Sequence, residues 1–277
     1  MTRTSLRSRS EIPTARRVVV KVGSSSISGA NAGQIEPLVD ALAAAHARGT
    51  EVILVSSGAI ATGMPYLKLD ARPSDLATQQ AAAAVGQNIL VFRYQDSLRR
   101  YEITAGQVLL TAGDLENPTH RSNAQRAMDR LLGLRILPIV NENDTVATHE
   151  IRFGDNDRLA ALVSQLVGAD ALVLLSDVDA LYTRPPQEPG AVKIETVPVG
   201  DELAGVTFGD IGAAGVGTGG AATKVSAARL AAAAGTAVLV TSTTKVAEAL
   251  SGAEVGTWFE PATLMREPSA TGSIALG

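Results

Sequence analysis

The sequence predicts an α/β protein, a three-layer α/β/α sandwich around a mainly parallel central sheet. Several short runs are apolar throughout rather than at alternate positions, as expected for strands buried on both faces. Longer segments with apolar residues at helical spacing separate these runs, and this alternation implies a parallel sheet covered by helical layers. The 277 residues, 45% of them hydrophobic, can form a core of that size.

In the first half of the chain, short apolar strands alternate with longer helical segments. After the first strand, Ile35, Leu38, Val39 and Leu42 fall at positions i, i+3, i+4 and i+7 of one helix face, and Gly49 marks the end of that helix. The strands predicted in this half are Val18–Val20, Val52–Val55, Val108–Leu110 and Ile136–Val140. The two later helices are Ser74–Arg100 and Asn123–Leu132.

The second half continues this alternation around one long irregular segment. The segment precedes Gly220 and contains three prolines and a dense group of glycines, which predict turns and loops. The elements predicted in this half are the helix Leu159–Val167, the strand Ala171–Leu175, the helix Thr223–Ala234, the strand Val238–Val240 and the helix Val246–Leu250.

One domain is predicted over residues 16–260, with a tail at each end. Residues 1–15 are rich in Arg, Ser and Thr and lack the apolar segment of a secretory signal, so we expect a disordered tail. Residues 261–277 form the second expected tail.

Composition excludes several classes of partner and chemistry. The 24 basic and 28 acidic side chains give a net charge of −4, which offers no general attraction for nucleic acid or an anionic membrane. No apolar run approaches the roughly 18 residues that span a bilayer. The chain has no cysteine and its three histidines lack metal-site spacing, so no metal ligand is assigned. We therefore expect a soluble, cytoplasmic protein that binds neither nucleic acid nor membrane.

Polar residues follow four of the predicted strands. In open parallel sheets, ligands bind just beyond the carboxyl ends of the strands, so these residues are expected to line one rim. The four segments are Lys21–Ser24, Ser56–Gly58, Asn141–Asp144 and Ser176–Asp177.

Two segments of the sequence suit phosphate groups. Lys21 is followed by Gly23 and three serines, which offer a positive charge, close backbone approach and hydrogen-bond donors. The segment Gly215–Lys224 runs into a helix, so its glycine amides can bind an anion at the helix N-terminus. It contains G-x-G-x-x-G, but no acid ends the next strand, which disfavours a dinucleotide. The alternatives are a solvated lysine at an ordinary turn and a mobile glycine-rich loop.

A third cluster is acidic and amide-rich. Asn141–Asp144 and Gly154–Asp157 hold many carboxylates and amides, which are costly to bury unless they pair with a cation or a ligand. The alternative is a solvated loop in which Asp157 caps the following helix.

Taken together, these segments resemble the amino acid kinase superfamily in order and spacing. Asn-Glu-Asn-Asp followed by Gly-Asp-Asn-Asp is specific to the glutamate 5-kinase branch, and the resemblance extends from about Val18 to Phe259. The matching segments are Val18–Ser24, Val55–Ala61, Val140–Asp144, Phe153–Asp157 and Gly217–Lys224.

The resemblance implies the amino acid kinase fold and a Mg²⁺-dependent transfer of phosphate from ATP to the γ-carboxylate of L-glutamate. The product would be L-glutamyl 5-phosphate, in the first step of proline biosynthesis. Lys21 and Lys224 would contact the transferring phosphoryl group, and Asp157 would hold both lysines in place.

The resemblance also implies two sets of binding residues, with the N-terminal part of the domain binding glutamate and the C-terminal part ATP. Magnesium would be held mainly through the ATP phosphates. The glutamate set is Ser57, Gly58, Asp144 and Asn156. The ATP set is Lys21, Gly23, Ser24, Ser176, Asp177, Thr218, Gly219, Gly220, Ala221, Ala222, Thr223 and Lys224.

The sequence departs from the family pattern at two places. Ala221 stands where many relatives have Met, and only short, mostly small or polar sequence follows Pro261, so no C-terminal PUA domain is expected. The expected partners are proline as a feedback inhibitor, further copies of this chain in a dimer or tetramer, and a glutamyl phosphate reductase.

Two other functions remain open at this point. A sister kinase would phosphorylate N-acetylglutamate, carbamate or a nucleotide, but Asp144 disfavours N-acetylglutamate because an acylated nitrogen carries no positive charge. A non-catalytic sensor of glutamate, proline or ATP would require loss of the catalytic groups, yet Lys21, Lys224 and Asp157 are all present.

Overall fold

A single eight-stranded sheet organises the molecule. The computed structural model describes residues 6–147, 156–203, 206 and 220–263. The strands within these ranges are β1 (Arg17–Val22), β2 (Glu51–Ser56), β3 (Ala105–Leu110), β4 (Leu137–Glu142), β5 (Ala171–Ser176), β6 (Thr196–Val197), β7 (Ala237–Ser242) and β8 (Thr257–Phe259). Their spatial order is β3-β4-β2-β1-β5-β7-β8-β6, and every neighbouring pair is parallel except β7 with β8.

Helices cover both faces of the sheet. They are α1 (Ile35–Ala47), α2 (Ala59–Gly63), α3 (Leu76–Leu98), α4 (Ala112–Glu116), α5 (Pro118–Gly133), α6 (Asn156–Val167), α7 (Ala221–Ala233) and α8 (Val246–Leu250). Val18 and Val20 of β1 pack with α1, α3 and α8, whereas Val19 packs with α5, α6 and α7. This alternation produces two hydrophobic layers, one on each side of the sheet.

The predicted three-layer α/β/α sandwich is confirmed. All six predicted strands and all six predicted helices are present. The strands β6 and β8 were not predicted, because they contain two and three residues and are too short for a periodic pattern. The helices α2 and α4, which have five residues each, were not predicted either. Within the described ranges, no helix is both long and apolar enough to cross a bilayer.

The N-terminal segment differs from the expected disordered tail. Residues 1–5 lie outside the described residues, but Leu6 and Ile12 are buried in the core. The guanidinium of Arg9 donates hydrogen bonds to the carbonyl oxygens of Val255 (2.9 Å) and Glu195 (2.7 Å). Two apolar anchors and these long-range bonds give residues 6–15 enough interactions to offset the entropy of ordering them.

The backbones of α2 and α3 are in direct contact. A Cβ at Gly63 would lie 1.9 Å from the carbonyl oxygen of Ala82, and one at Gly86 would lie 1.8 Å from that of Ala59. Only glycine fits at either position. The contact fixes α2, which begins immediately after Gly58, against the long helix α3.

Candidate active site

Four neighbouring strands bring their polar carboxyl ends to one rim. The strands β4, β2, β1 and β5 are consecutive and parallel in the sheet. They are the strands for which sequence analysis predicted polar termini. Parallel alignment therefore places the ends of all four at the same edge of the sheet.

Two lysines converge on one carboxylate at this rim. Lys21 Nζ on β1 lies 2.5 Å from Asp157 Oδ1, and Lys224 Nζ on α7 lies 3.1 Å from Asp157 Oδ2. Asp157 is fully buried in the first turn of α6, and both lysines are also buried. The structure thus brings together the three residues predicted to be catalytic.

Two ammonium groups are concentrated at this cluster. Lys21 Nζ and Lys224 Nζ both lie within ion-pair distance of Asp157, and positive charges gathered at one place attract an anion. The first turn of α7 adds to the effect, because its Gly220 N-cap has no side-chain hydrogen bond to the exposed amides. Thr223 Oγ1 holds this turn to the cluster through Asp157 Oδ2 (3.3 Å) and the carbonyl of Gly220 (2.8 Å). The arrangement suits a phosphate group.

A second part of the rim is built from amide and hydroxyl groups. Asn156 Nδ2 donates to Ser57 Oγ (3.0 Å), the Ser56 carbonyl (3.1 Å) and Asn141 Oδ1 (2.7 Å). Gly58 has a φ of +106°, a left-handed conformation that favours glycine. Ser57, Gly58 and Asn156 therefore lie close together, with Asn156 directly preceding the Asp157 carboxylate.

Comparisons with known proteins agree with this geometry. The model of the amino acid kinase family matches residues 16–242. A glutamate 5-kinase of Clavibacter sepedonicus is 78% identical over 254 residues, which are 92% of this chain and 98% of that protein. The chain belongs to the amino acid kinase family, in its glutamate 5-kinase branch.

Other relatives in this branch are longer, and related structures share the fold. The glutamate 5-kinase of Salinispora arenicola is 55% identical over 266 residues, 95% of this chain and 72% of that protein. Carbamate kinase from Giardia lamblia bound to AMP-PNP superposes with a TM-score of 0.64 at 17% identity, over 90% of this chain and 100% of that one. The superposition supports the amino acid kinase fold.

A cavity of about 260 Å³ adjoins the amide part of the site in this amino acid kinase. Asp144, which follows β4, lines it together with Glu142 and Ala59. Gln87 of α3 also lines it, and its Oε1 accepts a 2.7 Å hydrogen bond from Asn141 Nδ2. Gln87 was not among the predicted site residues. The signal in the sequence was its helical spacing from Ala83 and Leu90, which places a polar side chain on an apolar face of the predicted helix.

The described residues predicted to bind ATP lie after β1, at the end of β5 and at the start of α7. A Cβ at Gly23 would lie 3.9 Å from Lys21 Nζ, so the bare backbone leaves space beside the ammonium; Ser24 begins the next turn. Ser176 Oγ donates to Asp177 Oδ1 (3.0 Å) at the end of β5. Gly220 is the N-cap of α7, and Ala221 and Ala222 are its first two residues, whereas Thr218 and Gly219 lie outside the described residues.

The described residues offer Mg²⁺ no cage of side-chain ligands. No group of three or more Asp, Glu or His side chains in the described ranges could hold a metal ion. Both oxygens of Asp157 already face lysines. Mg²⁺ in such sites is usually bound by one or two carboxylates and by the phosphates of the substrate. The described residues therefore fit a Mg²⁺ ion that is held mainly through the phosphates of ATP.

Proposed function

We propose that this chain transfers the γ-phosphoryl group of ATP to the γ-carboxylate of L-glutamate, giving L-glutamyl 5-phosphate and ADP. The observation that carries the proposal is the convergence of Lys21 and Lys224 on the buried carboxylate of Asp157. The similarity to curated glutamate 5-kinases supports the choice of substrate. This reaction is the first step of proline biosynthesis.

The chemical step needs charge stabilisation and alignment rather than a base. A γ-carboxylate oxygen of glutamate attacks the γ-phosphorus, and the bond from that phosphorus to the β,γ-bridging oxygen breaks as ADP leaves. The carboxylate is already ionised at neutral pH, so no proton has to be removed. Catalysis therefore depends on positioning both substrates and on positive charge around the transferring group.

Lys21 and Lys224 supply that charge from two elements of the fold. Their ammonium groups approach Asp157 from β1 and α7, and a phosphoryl group beside them would be contacted from two sides. Asp157 is a positioning residue, because it keeps the two cations close together despite their repulsion. Bound Mg²⁺ would neutralise phosphate charge alongside them.

Glutamate binding is assigned to the amide and hydroxyl part of the rim. Asp144 pairs with the substrate ammonium, and Ser57 with the Gly58 amide donates hydrogen bonds to a carboxylate. Asn156 is fixed beside Ser57 by its hydrogen bond to Ser57 Oγ. Because the Asp144 carboxylate pairs with a positively charged amine, it favours glutamate over N-acetylglutamate, whose nitrogen is uncharged.

We extend the proposal to the division of the domain, its location and its partners. The N-terminal part of residues 16–260 binds glutamate and the C-terminal part ATP, in the cytoplasm. Proline is a feedback inhibitor, because it shares an ammonium and an α-carboxylate with glutamate, and a glutamyl phosphate reductase takes up the product. Exposed Val85 and Phe92, two turns apart on α3, support assembly into a dimer or tetramer.

An ATP-dependent hydroxamate assay tests the function. Hydroxylamine traps an acyl phosphate, so we expect hydroxamate from glutamate, far less from N-acetylglutamate, and less from glutamate when proline is added. Comparable yields from glutamate and N-acetylglutamate would favour the sister-kinase alternative. No yield from either, with ATP and Mg²⁺ present, would refute the proposed reaction.

A further inference from the structure

Three side-chain amides form a chain of hydrogen bonds from the cavity to the glutamate site. Gln87 Oε1 accepts from Asn141 Nδ2 (2.7 Å), and Asn141 Oδ1 accepts from Asn156 Nδ2 (2.7 Å). All three residues are at least nine-tenths buried. We call the three hydrogen-bonded side chains of Gln87, Asn141 and Asn156 the amide relay.

Two backbone groups fix the orientation of every amide in the relay. The Glu142 N–H can only donate, and it donates to Asn141 Oδ1 (2.9 Å); the Ser56 carbonyl can only accept, and it accepts from Asn156 Nδ2 (3.1 Å). The atom of Asn141 that faces Gln87 is therefore Nδ2, which can only donate. The atom of Gln87 that faces Asn141 must then be the acceptor, Oε1. The remaining group of Gln87 is its donor, Nε2.

The fixed orientation leaves one polar group unused at each end of the relay. Gln87 Nε2 and Asn156 Oδ1 are buried and have no hydrogen-bond partner among the described residues. An unsatisfied buried polar group costs roughly 1–3 kcal/mol, which a bound ligand recovers if it supplies the partner. The relay thus offers a donor at the cavity end and an acceptor at the Asn156 end.

We infer that Gln87 is a specificity-determining residue whose Nε2 donates a hydrogen bond to the α-carboxylate of the amino-acid substrate. The inference rests on the proposed function. Gln87 and Asp144 line the same cavity, which places a hydrogen-bond donor and a carboxylate near each other. The α-carboxylate and the ammonium of the substrate are bonded to one carbon atom and need two such groups close together.

The other end of the site suits the reacting carboxylate. The Cβ position of Gly58 lies 3.5 Å from Ser24 Cβ, and the Ser57 N–H donates to the Val22 carbonyl at the end of β1 (3.1 Å). Ser57 and Gly58 therefore adjoin the segment that carries Lys21. The γ-carboxylate is bound beside the phosphoryl group, and the α-carboxylate is bound at Gln87.

The Gln87→Glu variant tests this assignment with little change of shape. The variant keeps an oxygen that accepts from Asn141 Nδ2. It replaces only the donor Nε2, and the new carboxylate oxygen repels the α-carboxylate of the substrate. At pH 8 we expect the dissociation constant for glutamate to rise about tenfold to a hundredfold, the range for a lost hydrogen bond to a charged group. The affinity for 4-aminobutyrate, which lacks the α-carboxylate, should change less than twofold.

Two further variants complete the experiment. Gln107→Glu adds the same charge to the exposed wall of the same cavity and should change glutamate affinity less than threefold. Gln87→Met removes the donor without adding charge, and it covers the case in which Gln87→Glu does not fold. The measurement is calorimetric binding of each ligand, with the melting temperature as a check of folding.

Three results would overturn the inference. They are a glutamate affinity within twofold of wild type in the folded Gln87 variants, an equal loss of 4-aminobutyrate binding, and an equal effect of Gln107→Glu. A wild-type chain that binds no glutamate would refute the proposed function as well. A wild-type chain that binds glutamate, with unaffected Gln87 variants, would refute only the role of Gln87.

Discussion

The ammonium nitrogen of Lys224 lies 3.1 Å from Asp157 Oδ2, although the two residues are 67 positions apart in the chain. Each residue lies in the first turn of its helix, and α6 and α7 pack side by side. The helix dipole favours the carboxylate in the first turn of α6 but disfavours the lysine in the first turn of α7. The position of Lys224 therefore suits anion binding better than it suits helix stability.

Removing the Lys224 ammonium should slow turnover. In Lys224→Ala we expect kcat to fall by on the order of 10²–10³, the typical cost of losing one transition-state charge partner. The hydroxamate assay measures this, with Lys245→Ala as the control because Lys245 is half-exposed and pairs only with Glu248 among the described residues. Wild-type turnover in Lys224→Ala would remove Lys224 from the mechanism.

Replacing the central carboxylate should destabilise the protein as well as slow it. Asp157→Asn removes the carboxylate from two buried ion pairs, so we expect the free energy of unfolding to fall by about 3 kcal/mol. ATP supplies phosphate charge at the same place and should raise the melting temperature more in the variant than in wild type. Equal ATP-induced shifts would mean that the triphosphate binds away from these lysines.

Loss of the Asp144 carboxylate should affect glutamate specifically. In Asp144→Ala we expect a higher KM for glutamate with little change in the KM for ATP, because the substrate ammonium loses its partner. Asp96→Ala provides a control, since Asp96 is exposed on α3 and pairs with Arg99. An unaltered KM for glutamate would show that the amine is held elsewhere.

The glycine contact between α2 and α3 predicts an intolerant position. The Cβ of Gly86→Ala would lie 1.8 Å from the Ala59 carbonyl oxygen, so the helices must separate, at a cost of about 3 kcal/mol or more. Gly133→Ala is the matched control, because a Cβ at Gly133 of α5 meets no atom within 4 Å. Denaturant unfolding of both variants compares the two costs, and equal stabilities would contradict the close approach.

His46 should make stability depend on pH. Burial lowers the pKa of His46, and the nearby Arg135 guanidinium lowers it further. Arginine only donates, so His46 Nδ1 accepts from Arg135 Nη2 (3.1 Å) while Nε2 donates to the Arg135 carbonyl (3.1 Å), as in the neutral ring.

The sign of this dependence follows from the lowered pKa. As the pH falls, His46 takes up a proton in the unfolded chain near the ordinary histidine pKa of about 6.5, and in the folded chain only at a lower pH. The contribution of His46 to folding stability is therefore present above that pH and is lost as the pH falls below it. We expect the melting temperature to fall more steeply between about pH 7.5 and 5.5 in wild type than in His46→Gln. Parallel pH profiles would show that His46 does not contribute.

Local patterns in the sequence determined the elements and the chemistry of their ends. Unbroken apolar runs predicted the six longer strands, because a strand buried on both faces needs apolar residues at every position. Helical spacing predicted the six longer helices, because a helix buried on one face needs apolar residues at a helical period. The polar residues after Val20, Val55 and Val140 could be recognised as rim residues, since ligands bind beyond the carboxyl ends of parallel strands.

Only the tertiary structure decided which of these residues meet. The order β4-β2-β1-β5 places the four polar ends side by side, and packing of α7 against α6 brings Lys224 to Asp157. The amide relay through Gln87, the short strands β6 and β8, and the buried N-terminal segment also depend on contacts between distant parts of the chain. Hydrophobic periodicity predicts which face of a helix or strand is buried. It does not predict which element packs against that face, because the partner depends on the packing of the whole domain.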